Sequence, residues 1–247
     1  MSLRKNSQTI LIGANSDIGN QILLESKFGE NLPRIFFGRS IPGKAFRDND
    51  VFIEFDALNL DQAEADLASI LNSHDIECVI MSYASMDYSS LLAAKNSNFI
   101  NIDSTMFLAD IVIQHFRDKF KDVTKHGTII YVSSSIIGLR PRQKNFRYTA
   151  AKLAVDYYFR GLRPQIKSSG SNTKVIIIRP GFTHTKLHLE DTAPFATTTE
   201  KLGKSVGRQL KLRLPTIYAP FLIRFPLFIL SLLPSKVLDR LDKINKR

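Results

Sequence analysis

Ser135, Tyr148 and Lys152 are the residues of this chain whose types and spacing carry a definite chemistry. They lie in the stretch SSSIIGLRPRQKNFRYTAAK, with the serine thirteen residues before the tyrosine and the lysine four after it. Positions four apart on a helix share a face, so Tyr148 and Lys152 are neighbours if this segment is helical. An ammonium beside a phenol favours the phenolate, so the spacing predicts a lowered Tyr148 pKa. Ser135, at the end of an apolar run, can hold a substrate oxygen in front of that phenol. The set is equipment for moving a proton to or from a carbonyl or alcohol oxygen.

The elements that must position these groups are legible around them. TIIYVSSS reads as a buried strand ending in small polar residues, and YTAAKLAVDYYFRGL as a long helix. At the other end of the chain, QTILIGANSDIGNQILLES reads as strand, glycine turn and amphipathic helix. Gly13 permits the sharp turn and Gly19 lets the helix pack close to the strand. The helix N-terminus then offers N–H groups and a positive dipole to a pyrophosphate. The second strand, RIFFGRS, ends at Arg39, where an acid would suit the ribose hydroxyl of NADH and an arginine suits the 2′-phosphate of NADPH. Asn15 and Ser16 are placed to add hydrogen bonds to that phosphate. Asp56, after the third strand, is placed to meet an adenine edge or to cap a helix.

Strands are expected at 8–12, 34–37, 51–55, 77–82, 127–133, 174–179 and 216–218, with helices chiefly at 17–27, 61–73, 97–119, 147–168 and 198–211. Alternation of this kind predicts an α/β fold, a Rossmann-like, doubly wound parallel sheet of about seven strands with helices on both faces. One catalytic domain over 1–214 is expected, continuing into an apolar-basic extension over 215–247.

The motifs, taken together, resemble those of the short-chain dehydrogenases/reductases. The nucleotide motif of that family, T-G-x-x-x-G-x-G, corresponds to Ile12–Gly19, which places Gly13, Ile18 and Gly19 against a cofactor. The resemblance implies a catalytic set of Asn101, Ser135, Tyr148 and Lys152. It also gives Lys152 a second role on the nicotinamide ribose, and Asn101 the roles of kinking its helix and holding a relay water. Pro180-Gly181 matches the proline-glycine motif after strand six, with Thr183 and Thr185 beyond it toward the nicotinamide. Two departures stand out: Asp17 replaces the middle glycine, where it can cap the first helix, and Ser82-Tyr83-Ala84-Ser85 stands where the family has N-N-A-G. A narrower resemblance, carried by IEFDALNLD, FINIDST, RPGFTHTKL and the tail YAPFLIRFPLFILSLLPSKVLDRL, is to the decaprenylphosphoryl-2-keto-erythro-pentose reductases. It implies a keto-sugar on a polyprenyl phosphate as substrate, in cell-envelope biosynthesis.

Composition bounds the partners. The net charge is +11, yet residues 201–247 hold eleven Lys/Arg against two Asp/Glu, a net of +9 interleaved with apolar residues. That distribution argues against nucleic acid and for an anionic membrane surface or packing on a second subunit of a homo-oligomer. Residues 217–233 are apolar but too short and too interrupted by Pro220, Arg224 and Pro226 to span a bilayer. The single cysteine, Cys78, fits a reducing cytoplasm, with the inner face of the cell membrane as the working place, and the N-terminal apolar run is too short for a signal sequence. No metal is expected, because His184 and His188 have no third ligand near them.

The expected reaction is reduction of a ketone by NADPH, with NADH the weaker candidate. A basic loop of Arg140, Arg142, Lys144 and Arg147 is placed to meet a lipid phosphate or to be solvated. Two alternatives remain: another hydrophobic ketone of fatty acyl or polyketide type, and a dinucleotide-binding sensor without catalysis.

Overall fold

The computed structural model describes residues 8–26, 28, 31–43, 45–121, 125–141, 145–185, 196–234 and 237. Seven strands form one parallel sheet in the order β3-β2-β1-β4-β5-β6-β7. They are β1 (Gln8–Ile12), β2 (Ile35–Gly38), β3 (Val51–Glu54), β4 (Ile76–Met81), β5 (Thr128–Val132), β6 (Lys174–Pro180) and β7 (Thr216–Ala219). The chain order reverses between β1 and β4, so a crevice opens at the C-terminal ends of those two strands. The central strands are buried along their whole length, as near-continuous apolar runs demand when helices cover both faces. Edge strand β3 is half-exposed.

One face carries α2 (Leu60–Ser73), α4 (Thr105–Lys119) and α5 (Phe146–Ser168), which pack Leu67, Val112, Phe116, Val155 and Phe159 onto the sheet. The opposite face carries α1 (Asp17–Ser26) and α6 (Thr199–Lys211). The spacing of Leu202, Val206 and Leu210 turns one stripe of α6 inward.

The helix expected over 97–119 is interrupted. It begins earlier, as α3 (Leu91–Phe99), capped by the Ser90 hydroxyl accepting from the Ala93 N–H. It then passes through a π-helical turn at Ile100–Ser104 before continuing as α4. Thr105 Oγ1 donates to the Ile100 carbonyl across that widened turn, at 3.1 Å. A single wide turn of this type shifts the faces of the two halves against each other and is frequent at functional sites.

The long α5 is fixed to the sheet by a buried ion pair. Arg179 of β6 donates to both oxygens of the fully buried Asp156, at 2.9 and 2.6 Å, and to the Tyr218 hydroxyl at 2.6 Å. Arg160 adds a third contact to Asp156 at 3.1 Å. After β7 comes a short 3-10 turn at Phe221–Ile223 and then α7 (Arg224–Leu232), which lies against the 3-10 turn Ser135–Gly138. No helix among the described residues is long and apolar enough to cross a membrane.

Candidate active site

The crevice above β1 and β4 is built on two glycines. Gly13 turns with φ +102°, in the region closed to most L-residues, and a Cβ there would stand 2.2 Å from the Ser82 carbonyl oxygen. A Cβ on Gly19 would stand 2.8 Å from that of Ser82. The first turn of α1 can therefore approach β4 only because both positions lack side chains.

The cap of α1 is Ser16: its Oγ accepts from the Gly19 N–H at 3.1 Å and shares a hydrogen bond with Ser82 Oγ at 2.8 Å. Asp17 is the first helical residue, where the helix dipole favours an acid. The capping role expected for Asp17 thus falls to its neighbour. Ser82, from the segment that departs from N-N-A-G, serves to tie the glycine turn to β4. Asn15 donates to the Ser40 carbonyl at 3.1 Å and to Ser40 Oγ at 2.8 Å, joining that turn to the end of β2. Arg39 lies exposed between them, and Ile18 is half-buried in the first turn. Asp56 is exposed and accepts from the Leu58 N–H at 2.9 Å, while Asn59 caps α2.

Ser135 opens the 3-10 turn after β5 and is buried. Tyr148 and Lys152 follow one another by one turn of α5, with Lys152 Nζ 5.9 Å from the Tyr148 ring centre. Lys152 is buried. Its ammonium lies 5.0 Å from the Tyr131 ring centre and donates to the carbonyls of Val132, at 3.1 Å, and Tyr83, at 3.5 Å. Burial pulls its pKa down to about 7. The Tyr148 phenol moves the opposite way: burial, then the nearby Tyr88, raise its pKa above the ordinary value.

The expected lowering of the Tyr148 pKa by Lys152 is therefore not what this structure gives. Both shifts have one cause, since a dry site penalises ammonium and phenolate alike. The raised pKa favours the neutral phenol of Tyr148, the form that can donate a proton.

Asn101 is buried within the π turn and clamps the loop after β4. Its Oδ1 accepts from the Ser85 N–H at 2.9 Å and its Nδ2 donates to the Ser85 carbonyl at 2.7 Å. Gly181, after β6, donates its N–H to the Ala219 carbonyl at 2.8 Å. Pro180 ends β6, buried. Thr183 is buried, donates to the Gly181 carbonyl at 2.9 Å and bridges to Thr197; Thr185 is half-buried. His188, Arg142 and Lys144 lie outside the described residues, and no three His, Cys, Asp or Glu side chains among those described are grouped for a metal.

Three tyrosines outside the expected catalytic and cofactor set complete the surroundings. Tyr131 lies beneath Lys152 and stacks on Phe159 at 4.5 Å. Tyr83 shares a hydrogen bond with Ser104 Oγ at 3.2 Å, and burial pushes its pKa up to about 12. Tyr88 stands beside Asn101 and Tyr148. Tyr83 carried a signal, as part of the departure from N-N-A-G; Tyr88 carried none.

Comparison with known proteins agrees with the fold. The family model described as short chain dehydrogenase matches residues 79–194. An uncharacterized oxidoreductase of Mycobacterium tuberculosis is 25% identical over 194 residues, covering 77% of this chain and 76% of that one. One of Streptomyces coelicolor is 21% identical over 189 residues, covering 76% and 74%. Among solved structures, a short chain dehydrogenase from Burkholderia cenocepacia, in complex with NADP, superposes with a TM-score of 0.69 at 16% identity, covering 87% of this chain and 88% of that one. The bulky-bulky ketone specific alcohol dehydrogenase from Comamonas testosteroni gives 0.68 at 16% identity, covering 98% and 93%. At these identities the two structures speak for the fold.

Proposed function

We propose that this chain is an oxidoreductase of the short-chain dehydrogenase/reductase family, whose model matches residues 79–194, and that it reduces a ketone to an alcohol with NADPH. The observation that carries the reading is geometric: Tyr148 stands one helical turn from the buried Lys152, with the buried Ser135 in the turn after the neighbouring strand β5.

The residues around the crevice fit a dinucleotide. The Gly13 turn brings the N-terminus of α1 to the C-terminal end of β1, where a diphosphate is favoured. Arg39, exposed at the end of β2, suits a 2′-phosphate. Gly13, Ser16, Ile18, Gly19, Arg39 and the Pro180–Thr185 segment would hold NADPH there, and the chemistry it would supply is hydride for the carbonyl carbon. Ser135 and Tyr148 bind the carbonyl oxygen. As the C=O π bond breaks, Tyr148 gives its proton to the developing alkoxide, and its phenolate is refilled from solvent. Lys152, with charge available below a pH of about 7, supports that phenolate while it lasts. Asn101 holds the loop and the helix turn on which the relay rests.

The substrate we favour is a keto-sugar on a polyprenyl phosphate, used for cell-envelope glycan synthesis at the inner face of the cell membrane. Two features support it. Arg147 lies one residue before Tyr148 and is exposed, as a phosphate contact must be. The 3-10 turn at Phe221–Ile223 leaves Phe221 and Leu222 exposed, the tail helix α7 leaves Phe225, Phe228, Ile229 and Leu232 exposed, and α7 also meets the Ser135 turn. An apolar face with basic flanks suits an anionic bilayer and would keep the site close to a lipid-borne ketone. The same face also suits a second subunit.

Sedimentation of the full chain with anionic vesicles tests the membrane reading. Binding that is lost in a Phe225→Ser/Phe228→Ser variant supports it. Unchanged binding, or a dimer that dissociates instead, points to the subunit. NADPH oxidation with lipid-linked keto-sugars, against fatty acyl and polyketide ketones, tests the substrate.

A further inference from the structure

The crevice lies at the C-terminal ends of the strands, and a second cavity opens at the N-terminal end of β6. It has a volume of about 370 Å³ and lies between the C-terminal end of α5, the start of β6 and the link from α6 to β7. β6, seven residues long, runs from this cavity to Pro180, so about 20 Å separate it from the crevice. Its walls are fixed. Asn172 donates its side-chain amide to the Lys125 carbonyl at 2.8 Å and its backbone N–H to the Phe120 carbonyl at 2.7 Å. Arg163 of α5 donates to the Val175 carbonyl at 3.2 Å, to the Pro215 carbonyl, and to Thr216 Oγ1 at 3.3 Å.

Arg163, Lys167, Lys174 and Arg213 line the cavity, and among the described residues no carboxylate does. Arg163 is committed to the wall. The side chains of Lys167, Lys174 and Arg213 have no hydrogen-bond or ion-pair partner among the described residues. Burial, and after it the Arg213 charge, holds the Lys174 pKa below its ordinary value of 10.5. Arg213 is kept at a further cost. It stands just past the C-terminal cap of α6 with φ +56°, a conformation that glycine adopts freely and other residues rarely. The turn thus holds a guanidinium where glycine would be the easier residue, and strain of this kind gathers at functional sites. The rest of the lining is largely apolar, with Ile166, Val175, Ile176 and Leu210 buried in its wall.

We propose that this cavity binds a small organic phosphate with an apolar body, at a site separate from the crevice. Three cations without partners call for more than one negative charge. A phosphate monoester carries close to two at neutral pH, and a carboxylate carries one. The Arg213 guanidinium suits phosphate oxygens in particular, since its fork of N–H groups can meet two of them at once. The apolar wall takes the carbon group of the ester. The volume lies near the lower end for small-molecule sites, so it suits a compact ester rather than a dinucleotide. This inference does not depend on the ketone-reductase reading.

Isothermal titration of the full chain at physiological ionic strength tests this, with phenyl phosphate, inorganic phosphate and benzoate as probes. Phenyl phosphate should bind with a Kd of ~1 mM or tighter. It should bind at least ~10-fold more tightly than inorganic phosphate, which lacks the apolar group, and than benzoate, which lacks the second charge. Lys174→Gln and Arg213→Gly should each weaken it by ~10-fold or more. Arg213→Gly should melt no lower than wild type, because glycine is at ease at that φ, so its loss of binding is not a loss of fold. Lys201→Gln removes the same charge from the other end of α6 and should leave the affinity within about twofold. An equal loss in Lys201→Gln marks general attraction to a chain of net charge +11 and overturns the proposal. So does an affinity that both cavity variants leave unchanged, a phenyl phosphate that binds no more tightly than the other two probes, or no binding at all.

Discussion

Lys152 Nζ stands 5.9 Å from the ring centre of Tyr148 but spends its hydrogen bonds on the carbonyls of Val132 and Tyr83. The lysine is therefore built into the sheet end rather than into the tyrosine. Its ammonium is dried by strand β5, Tyr131 and the loop after β4, and its pKa falls to about 7. The phenol above it stays protonated. A site poised in this way is set up to give a proton, which is what ketone reduction needs.

The stability cost of Lys152 is open to measurement. Its folded pKa is below the ordinary value of 10.5. Between about 7 and 10.5 the unfolded chain thus binds more protons than the folded one, and stability from this group rises with pH across that window. Lys152→Met should abolish turnover yet melt higher than wild type at pH 7. We expect a gain of at least ~3 °C, roughly 1 kcal/mol for a chain this size, after the two carbonyls that lose their donor are allowed for. The gain should shrink as pH rises toward 10.5. Thermal melts across pH check this, and a gain that is absent, or that grows with pH, contradicts the buried-ammonium account.

Asp156 anchors the helix that carries Tyr148. Asp156→Ala leaves Arg179 without its buried carboxylate and should destabilise the fold by about 3–5 kcal/mol in denaturant unfolding. A loss below ~1 kcal/mol would mean that the apolar packing of Val155, Phe159 and Leu162 holds the helix without it.

We propose Arg39 for the 2′-phosphate on its exposed position at the end of β2 and its charge. Arg39→Ala should weaken NADPH by ~10-fold or more and leave NADH within about twofold, as expected for one charge-assisted contact. Titrations with both cofactors decide it, and equal losses remove Arg39 from that phosphate.

Much of the fold was legible because the central strands are continuous apolar runs. TIIYV and KVIIIRP have no polar alternation to hide a second reading, and the glycine turn follows β1 directly. The ends of elements were less so. The π turn at Ile100–Ser104 leaves no mark in the apolar spacing, since one extra residue per turn reads as ordinary helix. The cap of α1 went to Ser16 because the turn presents its hydroxyl, not the Asp17 carboxylate, to the Gly19 N–H.

In the site, residue types and spacing brought Tyr148 and Lys152 to one helical face. Desolvation shifts the pKa values of both, and desolvation belongs to the tertiary structure. Tyr131 and Tyr88 were invisible for the same reason: a tyrosine in a strand and another in a loop gain meaning only when Lys152 and Tyr148 are seen beside them.

In the proposed reaction Tyr148 gives the proton while hydride passes from NADPH to a ketone carbon. The direct measurement uses NADPH deuterated at the transferring position, with mass spectrometry of the alcohol formed. Wild type should place one deuterium on the carbinol carbon. Tyr148→Phe should bind NADPH as tightly and form product at least ~100-fold more slowly. A variant with near-normal transfer, or a wild type that holds NADPH and labels no ketone, would contradict the account.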